Sequence, residues 1–146
     1  MGFRGTLGLV VTGAALVMSV MPATASAAGQ AYYVKNANTS RCLDTNSTGN
    51  VYTHDCSGNT NQRWIIAGGK FTNVATKRCL ASDGVSAAAR PCSVTAVQQW
   101  TSTADVKKYL EWNNSGRCLH NTGGQSEHAG MNPCGSLSSR WTFVKV

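Results

Sequence analysis

The tripeptide Arg-Cys-Leu occurs three times, as Arg41-Cys42-Leu43, Arg78-Cys79-Leu80 and Arg117-Cys118-Leu119. The cysteines of these copies stand 37 and then 39 residues apart. Each is followed by a second cysteine, Cys56, Cys92 or Cys134, after 14, 13 and 16 positions. A tryptophan comes eight residues later in the first two copies (Trp64, Trp100) and seven later in the third (Trp141). Lys35-Asn36-Ala37 and Thr72-Asn73-Val74 precede the first two copies in register, with Trp112-Asn113-Asn114 as a looser third match. A repeating unit of this length cannot bury its own apolar face, so three units must share one core.

All six cysteines belong to this pattern. Six allow 15 pairings in principle. Threefold self-similarity favours the one in which each unit closes its own loop: Cys42–Cys56, Cys79–Cys92 and Cys118–Cys134. In the chain-entropy picture a loop of about 15 residues is worth roughly 3 kcal/mol, a large sum for a domain whose buried fraction is limited by its size. There is no CxxC pair and the three histidines lack helical spacing, so neither a metal site nor a cofactor is expected.

The expected elements are strands. Tyr32-Tyr33-Val34-Lys35, Asn50-Val51-Tyr52-Thr53-His54 and Arg63-Trp64-Ile65-Ile66 are rich in β-branched and aromatic residues, and Gly, Asn, Ser and Thr clusters at 46–49, 57–61 and 67–70 bound them. Residues 86–90, with three consecutive alanines, resemble a helical fragment but are too short to stand alone. About four strands per unit predict roughly twelve in a closed all-β barrel, with Trp64, Trp100 and Trp141 in its core.

Residues 1–27 read as a secretory signal peptide. Arg4 precedes the apolar stretch 6–21, Pro22 follows, and Ala25-Ser26-Ala27 supplies an A-x-A cleavage site. The apolar stretch is shorter than the roughly 20 residues a membrane span needs, so an exported chain without a membrane span is expected, secreted and extracellular. An oxidising compartment also suits a disulfide framework. The expected domain covers residues 28–146, with repeats at roughly 30–68, 69–106 and 107–146; it keeps twelve of the thirteen basic side chains and all six acidic ones.

Cys-Leu-Asp, a second cysteine and then Gln-x-Trp resembles the ricin-B-type β-trefoil lectin repeat. Arg41-Cys42-Leu43-Asp44 through Asn61-Gln62-Arg63-Trp64 matches fully, Gln98-Gln99-Trp100 keeps Gln-x-Trp, and Ser139-Arg140-Trp141 keeps only the tryptophan. The first unit, with Gly49-Asn50-Val51-Tyr52-Thr53, is most similar to actinohivin-like repeats, a mannose-binding branch of that family. The resemblance implies a β-trefoil and non-catalytic carbohydrate binding. It places Asp44 and Asn61 on the hydroxyl-binding pair and His54 on the stacking position. The actinohivin-like pattern puts Tyr52 beside Asp44 instead, but has Asn and Tyr where this chain has Ser57 and Asn61, which moves the pattern toward galactose-type sites.

The chemistry of a pyranose agrees with this set. Its hydroxyls donate and accept, and one face is apolar, so a site needs a carboxylate acceptor, an amide and an aromatic platform. Asp44, Asn61 and Tyr52 or His54 supply these. Each residue alone is ordinary in a turn or polar loop. Gln62 and Gln98 belong to the scaffold, because their motif recurs where no sugar pair survives. The second unit has Ala81 and Val97 at the two key positions, with Asp83 two residues late. The third has His120 and Ser138, with His128 and Asn132 nearby.

Other classes fit poorly. Retaining glycosidases need two carboxyl groups about 5 Å apart, and six acidic residues form no recurring close pair. No GxSxG, HExxH or phosphate-binding glycine loop is present. Lys77-Arg78 and Lys107-Lys108 are the only adjacent basic pairs, with no interleaved aromatics, so nucleic acid is not an expected partner. The basic surplus reads as a solvated surface, with anionic glycans as a lesser option. The alternative to a lectin is a degenerate trefoil acting through protein contacts, as an inhibitor or adhesion factor. Oligomeric state is not legible in the sequence.

Overall fold

Short runs of alternating inward and outward residues, punctuated by Gly, Asn and Ser turns, give twelve strands in the computed structural model, which describes residues 1–2, 29–121, 123–124 and 126–146. The expected leader, beyond its first two residues, lies outside the described residues. The first unit holds β1 (Ala31–Asn36), β2 (Cys42–Thr45), β3 (Val51–His54) and β4 (Arg63–Ala67). The second holds β5 (Lys70–Asn73), β6 (Cys79–Ser82), β7 (Ala87–Arg90) and β8 (Trp100–Ser102). The third holds β9 (Lys108–Trp112), β10 (Arg117–His120), β11 (Gly130–Pro133) and β12 (Arg140–Lys145). The alanine run at 87–89 is a strand and not a helical fragment, because Ala87 and Ala89 face the core while Ala88 faces outward.

Six strands form the barrel. β1 pairs with β12 and β4, β4 with β5, β12 with β9, and β9 with β8. The Trp100 amide donates to the Gly69 carbonyl at 2.9 Å, joining β8 to the start of β5. The other six strands make three hairpins, β2–β3, β6–β7 and β10–β11, one per unit. These hairpins meet in a cycle, Asn50 opposite Ala88, Ser86 opposite Gly130, and His128 opposite Tyr52. The result is the expected β-trefoil, with Cys42–Cys56, Cys79–Cys92 and Cys118–Cys134 each bridged within its unit.

The core repeats with the units. Val34, Phe71 and Leu110 hold equivalent barrel positions, and Leu43, Leu80 and Leu119 equivalent hairpin positions, all buried. Trp64, Trp100 and Trp141 fill the centre, and each indole N–H donates to the carbonyl of its own unit's leucine: Leu43 at 3.0 Å, Leu80 at 2.9 Å and Leu119 at 2.9 Å. A large apolar group thus enters the core without stranding its one polar atom.

The arginine of the tripeptide joins the units. Arg41 donates to the Gly123 carbonyl of the third unit, and Arg117 donates to the Gly84 carbonyl of the second at 3.2 Å. Arg78 lies against Gly49 of the first. Gly49 has φ +90°, and a Cβ there would press into the Ala89 carbonyl oxygen and the Arg78 guanidinium. Each arginine therefore reaches the hairpin turn of another unit, and its repetition is a property of assembly.

The structure shifts the looser third match by one residue. Cys42 pairs with Lys35, Cys79 with Thr72 and Cys118 with Glu111, so the equivalent triplet is Glu111-Trp112-Asn113. Trp112 then stands where Asn36 and Asn73 stand, and it does the same work. Asn36 Nδ2 donates to the Ser138 carbonyl at 2.9 Å, Asn73 Nδ2 to the Asn61 carbonyl at 2.7 Å, and Trp112 Nε1 to the Val97 carbonyl at 3.1 Å.

Candidate functional site

The candidate site lies on the outer face of the first hairpin. β2 and β3 are in antiparallel register, with Cys42 opposite His54, Leu43 opposite Thr53, Asp44 opposite Tyr52 and Thr45 opposite Val51. Side chains alternate across a strand. Leu43, Thr45, Val51 and Thr53 therefore point into the core and are fully buried, whereas Asp44, Tyr52 and His54 share the other face. Among the latter, Tyr52 and His54 are half-buried and Asp44 is 5% exposed. The Cys42–Cys56 bridge closes the base of the hairpin beside His54.

The Tyr52 hydroxyl donates to the Asp44 carboxylate across the ladder. Burial, then the Asp44 charge, then this hydrogen bond hold the Tyr52 phenol above its usual 10.0, so it is a neutral donor at ordinary pH. Asn61 reaches the same place from a later loop. Residues Thr60–Gln62 form one 3₁₀ turn capped by Asn59, whose side chain accepts from the Gln62 amide at 3.2 Å. From that turn, Asn61 Nδ2 donates to the Thr45 carbonyl at 2.6 Å, one residue along from Asp44. The main chain of Asn61 is held as well, since its carbonyl receives Asn73. Asp44, Tyr52 and Asn61 are thus brought together, with His54 two residues along β3; its Nδ1 lies 3.4 Å from the Asp55 carbonyl.

Gln62 stands behind the site as a brace. It is fully buried, accepts from the Ser57 amide at 2.8 Å and donates to the Asp55 carbonyl at 2.9 Å. Gln98 does the same in the second unit, with Ser93 at 2.7 Å and Pro91 at 2.7 Å.

The other two units lack the set. Ala81 faces Ala88 in the second, and Val97 replaces the amide. Asp83 does not stand in for Asp44. It occupies the place of Asn46, and its carboxylate accepts from the Val85 amide at 2.9 Å and the Ser86 amide at 2.8 Å, shaping the turn. Those backbone bonds lower its pKa below the usual 3.8. In the third unit His120 faces Gly130, and the Ser138 hydroxyl pairs with Ser136 at 2.9 Å.

His128 is the third unit's counterpart of Asn50 and Ser86, which bridge to the next hairpin in the same way. It bridges opposite Tyr52 of the first hairpin, while Asn132 takes the place that His54 holds in the first unit. The loop after β10 is the longest of the three, and it docks on β3. The Thr53 hydroxyl donates to Asn121 Oδ1 at 2.8 Å, the Thr53 amide to the Glu127 carbonyl at 3.2 Å, and the Ala129 amide to the Val51 carbonyl at 2.9 Å. Sequence reasoning missed this neighbour; the 16-residue spacing of Cys118 and Cys134 was the one available sign. Among the described residues no group of His, Cys, Asp and Glu is arranged to hold a metal ion, and no helix is long and apolar enough to cross a membrane.

Comparison with known proteins gives a consistent result. A family model described as a ricin-type beta-trefoil lectin domain matches residues 30–143. A search of curated protein sequences finds no match. Among solved structures, the designed threefold-symmetric protein ThreeFoil superposes with a TM-score of 0.68 at 23% identity, over 80% of this chain and 99% of that one. The ricin B-like lectin of Macrolepiota procera, solved with lactose, gives 0.71 at 14% identity, over 81% and 96%. The C-half of an earthworm R-type lectin, solved with GalNAc, gives 0.66 at 13% identity, over 80% and 99%. In several longer proteins of this fold the chain spans a third of the length or less, namely 30%, 32% and 17%.

Proposed function

The chain belongs to the ricin-type β-trefoil lectin domain family, and on that premise we propose that it is a secreted, non-catalytic carbohydrate-binding protein with one working sugar site, in its first repeat. The observation that carries this reading is the cross-strand pair of Asp44 and Tyr52 with Asn61 fastened to the Thr45 carbonyl. Asp44 accepts sugar hydroxyls, the Asn61 amide accepts and donates, and Tyr52 or His54 gives the ring an aromatic face. A galactose-type ligand is favoured over a mannose type. The solved relatives hold lactose and GalNAc, and Ser57 and Asn61 depart from the mannose pattern. Secretion is supported by the three disulfides and the A-x-A sequence before Ala28.

A single shallow site gives a dissociation constant near the millimolar range, about −4 kcal/mol, and gains nothing from multivalency within one chain. Such a module suits weak targeting better than agglutination. The test is a glycan array probed with the wild type and Asp44→Ala. Galactose-terminated glycans bound by the parent and lost in the variant are expected; a blank array, or a variant that binds as well as its parent, refutes the reading.

A second reading, a trefoil that acts through protein contacts, draws on the exposed Val85, Val94 and Val97 in the second unit, where sugar chemistry has been erased. The same array separates the two.

A further inference from the structure

A cavity of about 280 Å³ opens where the first unit meets the third, between the end of β1 and β12. Lys35, Ala37, Ser40, Lys107, Thr142 and Val144 line it, and it shares no lining residue with the Asp44 site. We propose that this cavity is a second, separate binding site, which takes a sugar ring bearing an oxyanion, either a carboxylate or a sulfate ester.

The first ground is charge. Two lysines and no acidic residue line the cavity. Among the described residues the one ion pair is Arg41–Asp55, so neither lysine is neutralised by the protein itself. Lysine is a compact cation that makes short charge-assisted hydrogen bonds to oxyanions, and such bonds strengthen where the surroundings are only partly hydrated.

The second ground is the threefold comparison. Lys35 is equivalent to Thr72 and Glu111. Both of those serve their own units: the Thr72 hydroxyl contacts Cys79 Sγ at 3.4 Å, and the Glu111 carboxylate accepts from the Gly116 amide at 2.8 Å. The trefoil therefore does not need a cation at this position, and the charge reverses sign from one junction to another. Only the junction of the first and third units presents a cation there.

The third ground is the rest of the lining. Ser40 and Thr142 bring hydroxyls to the same cavity, and Ala37 and Val144 bring apolar surface, which together suit a pyranose. The volume lies just below the roughly 300 Å³ at which ligand clefts begin, room for one ring and not for an extended chain. The walls are held in place. Thr142 is directly opposite Lys35 in the β1–β12 ladder, the Ala37 amide donates to the Arg140 carbonyl at 2.8 Å, and Arg140 Nη1 donates to the Lys107 carbonyl at 3.3 Å. The Arg140 guanidinium is itself stacked on Tyr109 at 4.4 Å. A lysine that serves solubility alone requires none of this.

The experiment is a titration of the ¹⁵N-labelled protein, followed by amide shifts, with galacturonate, galactose 6-sulfate and galactose. The acids should move the amides of Lys35, Ser40, Lys107 and Thr142, and galactose should not; the tighter of the two acids identifies the oxyanion. Lys35→Gln/Lys107→Gln should weaken acid binding by about tenfold or more while leaving any galactose response at Tyr52 and His54 intact. Lys77→Gln/Arg90→Gln removes the same charge from the second unit and should cost about twofold or less. The proposal falls if neither acid moves these amides, if galactose moves them equally, or if the control pair costs as much as the cavity pair. A missing galactose response at the first hairpin would refute the lectin reading and leave this one standing.

Discussion

The first and second units are built on one frame and differ in what they display. Both bury a tryptophan whose indole donates to the leucine carbonyl at 3.0 and 2.9 Å. Both brace a loop through a buried glutamine, and both close a hairpin with a disulfide. On the outer face of that hairpin, Asp44 and Tyr52 of the first become Ala81 and Ala88 of the second, and Asn61 becomes Val97. Inward positions answer to packing shared by all three units, where a changed volume is felt at once. Outward positions carry no packing common to the three units, so they are free to differ from one unit to the next. Fold and recognition sit on alternate residues of the same strands.

The largest expected effect tests the shared half of that comparison. Trp64→Ala and Trp100→Ala should each cost about 3–5 kcal/mol, in equal measure, by chemical denaturation. A cost confined to one of the two would mean that the units do not share the core equally. Removing the second unit's bridge, as Cys79→Ala/Cys92→Ala, should cost about 2–4 kcal/mol and leave sugar affinity unchanged at temperatures where the protein stays folded, measured by calorimetric titration.

The unshared half is tested next. Asp44→Ala should weaken galactoside binding by about ten- to a hundredfold, the equivalent of losing hydrogen bonds to a charged group, with a much smaller change in stability. The converse, Ala81→Asp, puts a carboxylate at a fully buried position with no tyrosine opposite. It should destabilise by about 1–3 kcal/mol, and Ala88→Tyr in the same chain should recover part of that loss in a thermal melt.

The smallest effects are those of pH, and the two hairpins should respond at opposite ends of the scale. The Tyr52 pKa lies above 10.0 in the fold, so its contribution is complete below pH 10.0 and is lost as pH rises through the folded value. The Asp83 pKa lies below 3.8, so its contribution is present above 3.8 and is lost as pH falls through the folded value. Tyr52→Phe should flatten the alkaline limb of a stability profile, and Asp83→Asn the acid limb. Asparagine already makes that turn at Asn46, accepting from the Thr48 and Asn50 amides at 3.1 and 3.0 Å.

What could be read from the sequence was what repeats. The tryptophans, the leucines and the three bridges recur at near-constant spacing, and spacing carries directly into threefold geometry. Asp44, Tyr52 and Asn61 are picked out by the resemblance of the motif; that Asp44 faces Tyr52 follows from the tight β2–β3 hairpin, whereas Asn61 comes from the separate 3₁₀ turn before β4. Contacts between units were not legible. Nothing in the order of residues shows that His128 crosses to Tyr52, that Asn121 receives the Thr53 hydroxyl, or that Arg41 grips Gly123. Trp112 misled for a related reason: an indole replaces an asparagine amide as a donor, so chemistry was preserved while the letter, and with it the apparent register, moved by one.

The docking of the long third-unit loop on β3 means that two units share in building the surroundings of the candidate site. Residues 126–129 hydrogen-bond the main chain of β3 and His128 bridges opposite Tyr52, in a loop, where insertions accumulate most readily. Changes in ligand preference can therefore arise in a stretch of chain far from Asp44 in sequence, without touching any residue that a motif would flag. Residues 126–128 are the ones to randomise first in a search for altered ligand preference, before the hairpin itself.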